Sequence, residues 1–333
     1  MQNTAQAARS ASSAGRSAAR HIHGGFSTLC RKELADHFHS ARFKLVFALL
    51  ILTSLASLYG ALEGIADSVS ESSEFIFLSL YTASSNSIPS VASFLAYLTP
   101  LAGLVLGFDA INRERSQGTL NRLVSQPIHR DSVIVAKFLA GRIVVAIMVF
   151  FVGILVGGLG LVCIGIPPGI EEFLRILSHL ILTVFYTSLW MGLAMLCSVL
   201  CRHASTSALI VIALWIYFTL FASMVMKVIA NLCYPVDGIE GYYNMMSNYE
   251  LQLSLNRTSP YYVYCEAVTT LLNPNVRTIG ITTTQSLSGM LASYLSFDQS
   301  LLLIWPHITS MVALTMAAFT VSYIAFMRQE IRA

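Results

Sequence analysis

The sequence predicts an all-α integral membrane protein. It has six transmembrane helices, an N-terminal amphipathic interfacial helix, and a small extracytoplasmic segment between helices five and six. Three observations carry this. Of 333 residues, 55% are hydrophobic and 11% charged, against roughly a quarter charged in an ordinary soluble domain. Apolar runs at about 45–63, 90–111, 143–166, 174–200, 205–229 and 302–327 are each long enough to cross a hydrocarbon core of about 30 Å as a helix. None alternates polar and apolar residues as a barrel strand would. Finally, sixteen of the twenty Lys and Arg residues lie before span one, between spans two and three, between spans four and five, or after span six; Arg175, Lys227, Arg257 and Arg277 are the others. The rich side is expected in the cytoplasm, with both termini. The net charge of +3 follows from this topology and points to no nucleic-acid partner.

Residues 1–25 are rich in Ala, Ser and Arg, lack acids and lack an apolar core. A disordered cytoplasmic tail is expected rather than a cleavable signal peptide, and an organelle transit peptide is the lesser reading. Over 26–43, Phe26, Cys30, Leu34, Phe38 and Ala41 recur at helical spacing while Arg31, Lys32 and Asp36 lie elsewhere on the wheel. That is an amphipathic helix lying along the membrane face. Residues 44–230 hold spans one to five. The loop at 64–88 is rich in Ser and acids. Gly103 and Gly107 in span two, and Gly153 and Gly157 in span three, have the small-xxx-small spacing that lets helices approach closely. Pro167, Pro168 and Gly169 force the turn between spans three and four. Residues 231–300 are expected as an extracytoplasmic lid packed over the helix ends, and 301–333 as span six with a short cytoplasmic tail.

The segment 112–142, NRERSQGTLNRLVSQPIHRDSVIVAKFLAGR, is the polar interruption. Gly118 and Thr119 offer a turn and an N-cap, LNRLVSQ makes about two helical turns, and Pro127 ends them. Asp131 or Ser132 caps the helix that leads into span three. A short stiff helix is thus held at the cytoplasmic surface between two spans. Leu120 and Leu123 can present an apolar knob, and Glu114, Arg122 and Arg130 can form rim ion pairs.

This stretch, with FDAI ahead of it, resembles the signature of type-2 ABC exporter permeases. The matching positions are Glu114, Gly118, Thr119, Leu120, Pro127, Arg130 and Lys137. RKEL at 31–34 and LLNPN at 271–275 are also similar. They point to the subgroup that includes permeases for nitrous-oxide-reductase maturation and gliding motility. The resemblance implies a non-enzymatic transport subunit of the cell inner membrane that pairs with a second permease copy. A separate cytoplasmic ATPase would contact Glu114, Gly118, Thr119, Leu120, Arg122, Leu123, Pro127 and Arg130, with Arg31, Lys32 and Glu33 of the interfacial helix as further contacts. ATP and Mg would bind the partner ATPase and no cofactor would bind this chain, which has no phosphate-loop motif. An extracytoplasmic partner at 231–300 is a further expectation.

Other chemistries weigh less. Cys197, Cys201 and His203 have a soft-metal spacing, but cysteine in an apolar helix usually packs. Cys233 and Cys265 both fall on the extracytoplasmic side, where a disulfide persists; a bridge or two free thiols remain the alternatives. His179 and His307 read as interfacial polar residues, and Asp109 as a partner for Arg113 or Arg142. An intramembrane lipid-modifying enzyme would need convergent acids or a nucleophile and base within the spans. An ion-coupled carrier or channel would place charge near the midplane. Neither pattern is evident.

Overall fold

The computed structural model describes residues 26–68, 75–85, 87–118, 130–275 and 294–328. Among them no strand occurs, and six helices are long and apolar enough to cross a membrane. The elements are α1 (26–39), α2 Ala41–Ser68, α3 Ile76–Thr82, α4 Val91–Gly107, α5 Asn112–Ser116, α6 Arg130–Ile164 and α7 Ile170–Leu200. Then come α8 Ala204–Ile216, a π-turn Tyr217–Phe221, α9 Ala222–Cys233, α10 Gly238–Asn256, α11 Pro260–Leu272 and α12 Phe297–Arg328. The spans are α2, α4 with α5, α6, α7, α8 with α9, and α12. Below, the basic end is the end carrying α1 and α5; the far end is its opposite.

Helix α7 is the hub. Its Arg175, His179, Thr183, Tyr186 and Trp190 are fully buried, because other helices cover it on most sides. Helix α4 crosses it closely. A Cβ added at Gly103 would lie 2.5 Å from the Thr187 carbonyl oxygen, and one at Gly107 2.6 Å from that of Met191. The glycine pair lets two backbones approach where dispersion contact drives association. His179 is a correction to the interfacial reading. It is wholly enclosed near the rings of Tyr81 and Tyr264, because the face of α7 that carries it is the one α11 packs against.

Within the loop expected at 64–88, FIFLSLYT makes the short helix α3, which buries Phe77, Leu78, Leu80 and Tyr81. Seven helical residues are too few for periodicity to announce. Tyr81 donates to the Gly153 carbonyl at 2.7 Å. Glu172 accepts from the Phe77 amide at 3.0 Å and from the Gly169 amide at 2.8 Å, so one carboxylate serves the N-termini of two helices.

The segment after span five differs most from the expected lid. Helix α10 doubles back along α9: Asn248 donates to the Asn231 side chain at 2.9 Å and to the Tyr234 carbonyl at 2.8 Å. At the hairpin tip, the Ser259 hydroxyl donates to the Phe218 carbonyl at 3.0 Å. Phe218 lies inside the π-turn, where the widened helix leaves carbonyls short of partners. Helix α11 then returns along α7, stacking Tyr264 on Tyr186 at 4.2 Å. Its end is fixed by buried Arg175, which donates to the Leu271 carbonyl at 2.8 Å, the Leu295 carbonyl at 2.6 Å and the Ser300 hydroxyl at 3.1 Å, while pairing with Glu171 at 2.8 Å. The two helices form a hairpin of which α11 is inserted among α4, α7 and α12 down to the level of Phe218, while α10 lies outside along α9 with Tyr242 and Tyr243 exposed. The apolar face of PYYVYCEAVTTLL is what makes that insertion favourable.

Candidate functional site

Helix α4 ends at Gly107, and after a turn the chain restarts as α5. The Ser198 hydroxyl of α7 accepts from the amides of Ile111 at 3.1 Å and Asn112 at 3.2 Å. These amides belong to the first turn of α5, where intrahelical acceptors are lacking. Ile111 is buried with Ile134, Met195, Val199 and Phe326. The start of the 112–142 segment is thereby clamped to α6, α7 and α12.

Helix α1 is fixed to the same place from the other side. Its apolar face buries Leu29 against Val133 and Ala136 of α6, with Phe26 and Cys30 beside them. Beneath this contact lies an ion cluster. Lys137 of α6 pairs with Glu33 of α1 at 2.9 Å and with Glu114 of α5 at 3.2 Å. Only 6% of the Lys137 side chain, 6% of Glu33 and 12% of Glu114 remain exposed. Lys32, half exposed, adds contacts to Glu33 at 3.3 Å, Glu114 at 3.6 Å and Asp36 at 3.5 Å. Helix α1, distant in sequence, is joined to α5 and α6 through one buried ammonium. Such a cluster holds a fixed geometry because removing one member leaves a buried charge uncompensated.

Electrostatics around the cluster follow from its composition. Burial pulls the Lys32 ammonium down, but Glu33, Glu114 and Asp36 outweigh it and hold it above its ordinary value. Burial pushes the Cys30 thiol up, and Glu33 adds to this, so the thiolate is disfavoured. Burial also lowers the His37 imidazole, keeping it neutral despite nearby Glu33. Asp109 pairs with Arg42 of α2, whose guanidinium also covers Phe108 at 5.0 Å. This corrects the expected pairing of Asp109 with Arg113 or Arg142, because α2 passes closer to the end of α4 than either of them.

Of the residues expected to contact a partner, the structure brings together Glu114, Lys32 and Glu33. Arg31 is exposed on α1. Gly118 closes α5 by donating to the Arg115 carbonyl at 3.2 Å, with a φ of 66° that favours glycine. Thr119, Leu120, Arg122, Leu123 and Pro127 lie outside the described residues, and Arg130 opens α6. Lys137 belonged to the sequence signature, but its joining of Glu33 to Glu114 had no local signal. Asp131 accepts from the Ser132 amide at 2.8 Å in the first turn of α6.

Cys233 and Cys265 are free thiols: Cys233 is exposed at the end of α9, while Cys265 packs against the core on α11. Arg142, grouped with the basic segment, sits over the Phe185 ring of α7 at 4.6 Å. It is a charge well inside the spans, where none was expected.

Among the described residues of the site no nucleophile is paired with a base. Its chemistry is that of a joint, in which charge and apolar contact hold three helices as one body. Residues 27–331 match a family described as "ABC-2 family transporter protein". The chain is similar to a protein of Pseudomonas aeruginosa called "Probable ABC transporter permease protein NosY", at 26% identity over 211 residues, covering 62% of this chain and 70% of that one. A protein of the same name from Stutzerimonas stutzeri is 35% identical over 69 residues, covering 21% of this chain and 25% of its own length.

Proposed function

The chain belongs to the ABC-2 family of transporter proteins, and on that premise we propose that it is the permease subunit of an ATP-driven exporter. Two permease copies form the pathway, and a separate ATPase drives it from the basic end. That end faces the cytoplasm with both termini, and the protein is a multi-pass protein of the cell inner membrane. ATP and Mg bind the ATPase, which seats the segment at 112–130 in a groove with Leu120 and Leu123 as the apolar contact. Arg31 and the half-exposed Lys32 of α1 form its rim.

The observation that supports this reading is the Lys137 cluster. A segment that only connects two spans needs no anchor; one that receives force does. Because Glu114 is tied to α1 and α6, a push on the segment moves three helices together rather than bending a loop. Transport then proceeds by rearrangement of packed bodies between two states, without a catalytic group in the permease.

The test is Leu120→Asp, with the ATPase co-purified and transport-coupled ATP hydrolysis measured. The substitution leaves the basic residues that set topology unchanged, so insertion is expected to survive. A carboxylate buried without a partner at the contact is expensive, so loss of ATPase association and of coupled hydrolysis is expected. Normal assembly and coupling would refute the contact.

A further inference from the structure

Arg142 has a place no part of the coupling scheme uses. Its helix enters from the basic end, and helical side chains lean toward their own N-terminus, which would return the guanidinium to the nearby surface. Instead it reaches the other way. Gly141 lies beside Met191, whereas the guanidinium lies over Phe185, further toward the far end. Along α7, Phe185 stands about 15 Å from Arg175 at the far end and about 22 Å from Leu200 at the basic end. The charge is therefore near the middle of the spanning bundle, and it is partly buried.

Its surroundings are apolar. Phe138 of α6 meets Phe319 of α12 at 4.4 Å, so the two helices close over α7 on the basic side of Phe185. Beyond that contact they leave a strip of α7 uncovered, with Ile181 44% and Phe173 56% exposed. Thr315 of α12 donates to the Phe185 carbonyl at 3.3 Å, which puts α12 along one edge of the strip and Arg142 at the other. Among the described residues no carboxylate lies within ion-pair distance of Arg142, and Asp109 is taken by Arg42. An aromatic face offsets part of the cost of a guanidinium in hydrocarbon, but an intramembrane cation ordinarily has an anionic partner.

We propose that this strip of α7, between α6 and α12, docks a membrane-spanning helix of a partner protein that carries a carboxylate near its midpoint, anchored by Arg142. Charge complementarity selects this occupant. A lipid is free to slide its phosphate back to the interface, whereas a side chain on a spanning helix is carried to mid-depth by its own backbone. A second copy of this chain does not fit, since its spans carry carboxylates only near their ends, at Glu63, Asp109, Glu114, Asp131, Glu171, Glu172 and Asp298, and Glu266 of the inserted α11 is held by Arg257 and His307. The proposal is independent of the exporter reading.

The test uses the full-length protein in phosphatidylcholine vesicles at pH 8, and energy transfer to synthetic Leu/Ala spanning helices carrying one central Glu or, as control, Gln. The Glu helix is expected to associate at least tenfold more tightly. Arg142→Gln is expected to abolish that preference, and Phe185→Leu, which keeps the charge, to retain it. Equal association of the two helices, or a preference that persists in Arg142→Gln, overturns the proposal. So does Arg142-dependent displacement of the Glu helix by added phosphatidylglycerol, which would assign the strip to lipid. Should Arg142→Gln fail to fold, the comparison of Glu with Gln helices on the unaltered protein decides.

Discussion

Removing the shared ammonium of the basic-end cluster gives the sharpest test of the joint. In Lys137→Ala the carboxylates of Glu33 and Glu114 lose a partner at 2.9 and 3.2 Å and stay largely out of water. Breaking a buried pair from one side costs about 3–5 kcal/mol. Lys32 still stands 3.3 Å from Glu33 and 3.6 Å from Glu114, so the lower end, about 3 kcal/mol, is expected. That energy corresponds to on the order of a hundredfold. Because the strain is relieved when α1 lifts off α6, it should appear as local opening rather than global unfolding. Hydrogen exchange of amides 26–39 is the assay, with a loss of protection on the order of a hundredfold expected and the centre of α7 unchanged. The triple variant Lys137→Met, Glu33→Leu, Glu114→Leu should keep α1 docked, since apolar replacement of a whole buried cluster is often neutral. Unchanged protection of 26–39 in Lys137→Ala would refute the reasoning.

Two further outcomes follow from the far end and the helix crossing. Gly103→Ala places a methyl 2.5 Å from the Thr187 carbonyl oxygen and should cost about 1–3 kcal/mol by overpacking. It should be read as a lower melting temperature in detergent, while Gly158→Ala, with nothing within 4 Å, leaves it unchanged. The Glu266 carboxylate of α11 accepts from Arg257 at 2.8 Å and lies 2.8 Å from the His307 ring nitrogen. Glu266→Leu leaves the Arg257 guanidinium without that partner and should lower the melting temperature, at a cost of about 1–3 kcal/mol, and an unchanged melting temperature would contradict this.

Much of this was legible in the sequence because it depends on neighbours along the chain. Apolar run length gave the six spans. The spacing of Gly103 and Gly107 announced a close crossing, though not that α7 was the helix crossed. The RKEL stretch and the 112–142 segment were both singled out, yet nothing local joined them. Glu33 meets Lys137 only because α1 turns back along α6. FIFLSLYT was too short for a period, and PYYVYCEAVTTLL read as a lid because composition does not say how deep a segment sits.

Composition and periodicity by themselves determined that this chain is a six-span helical membrane protein whose charge gathers at one end. Those properties are fixed by which residues must leave water and at what repeat they recur. Only the tertiary structure decided which charges meet: Lys137 with Glu33 and Glu114, Asp109 with Arg42, Arg175 with the end of the hairpin, and Arg142 with a ring near the middle of the bundle. A charged side chain reaches only a few ångströms, so its partner is set by how helices cross, and a crossing is a property of two helices at once.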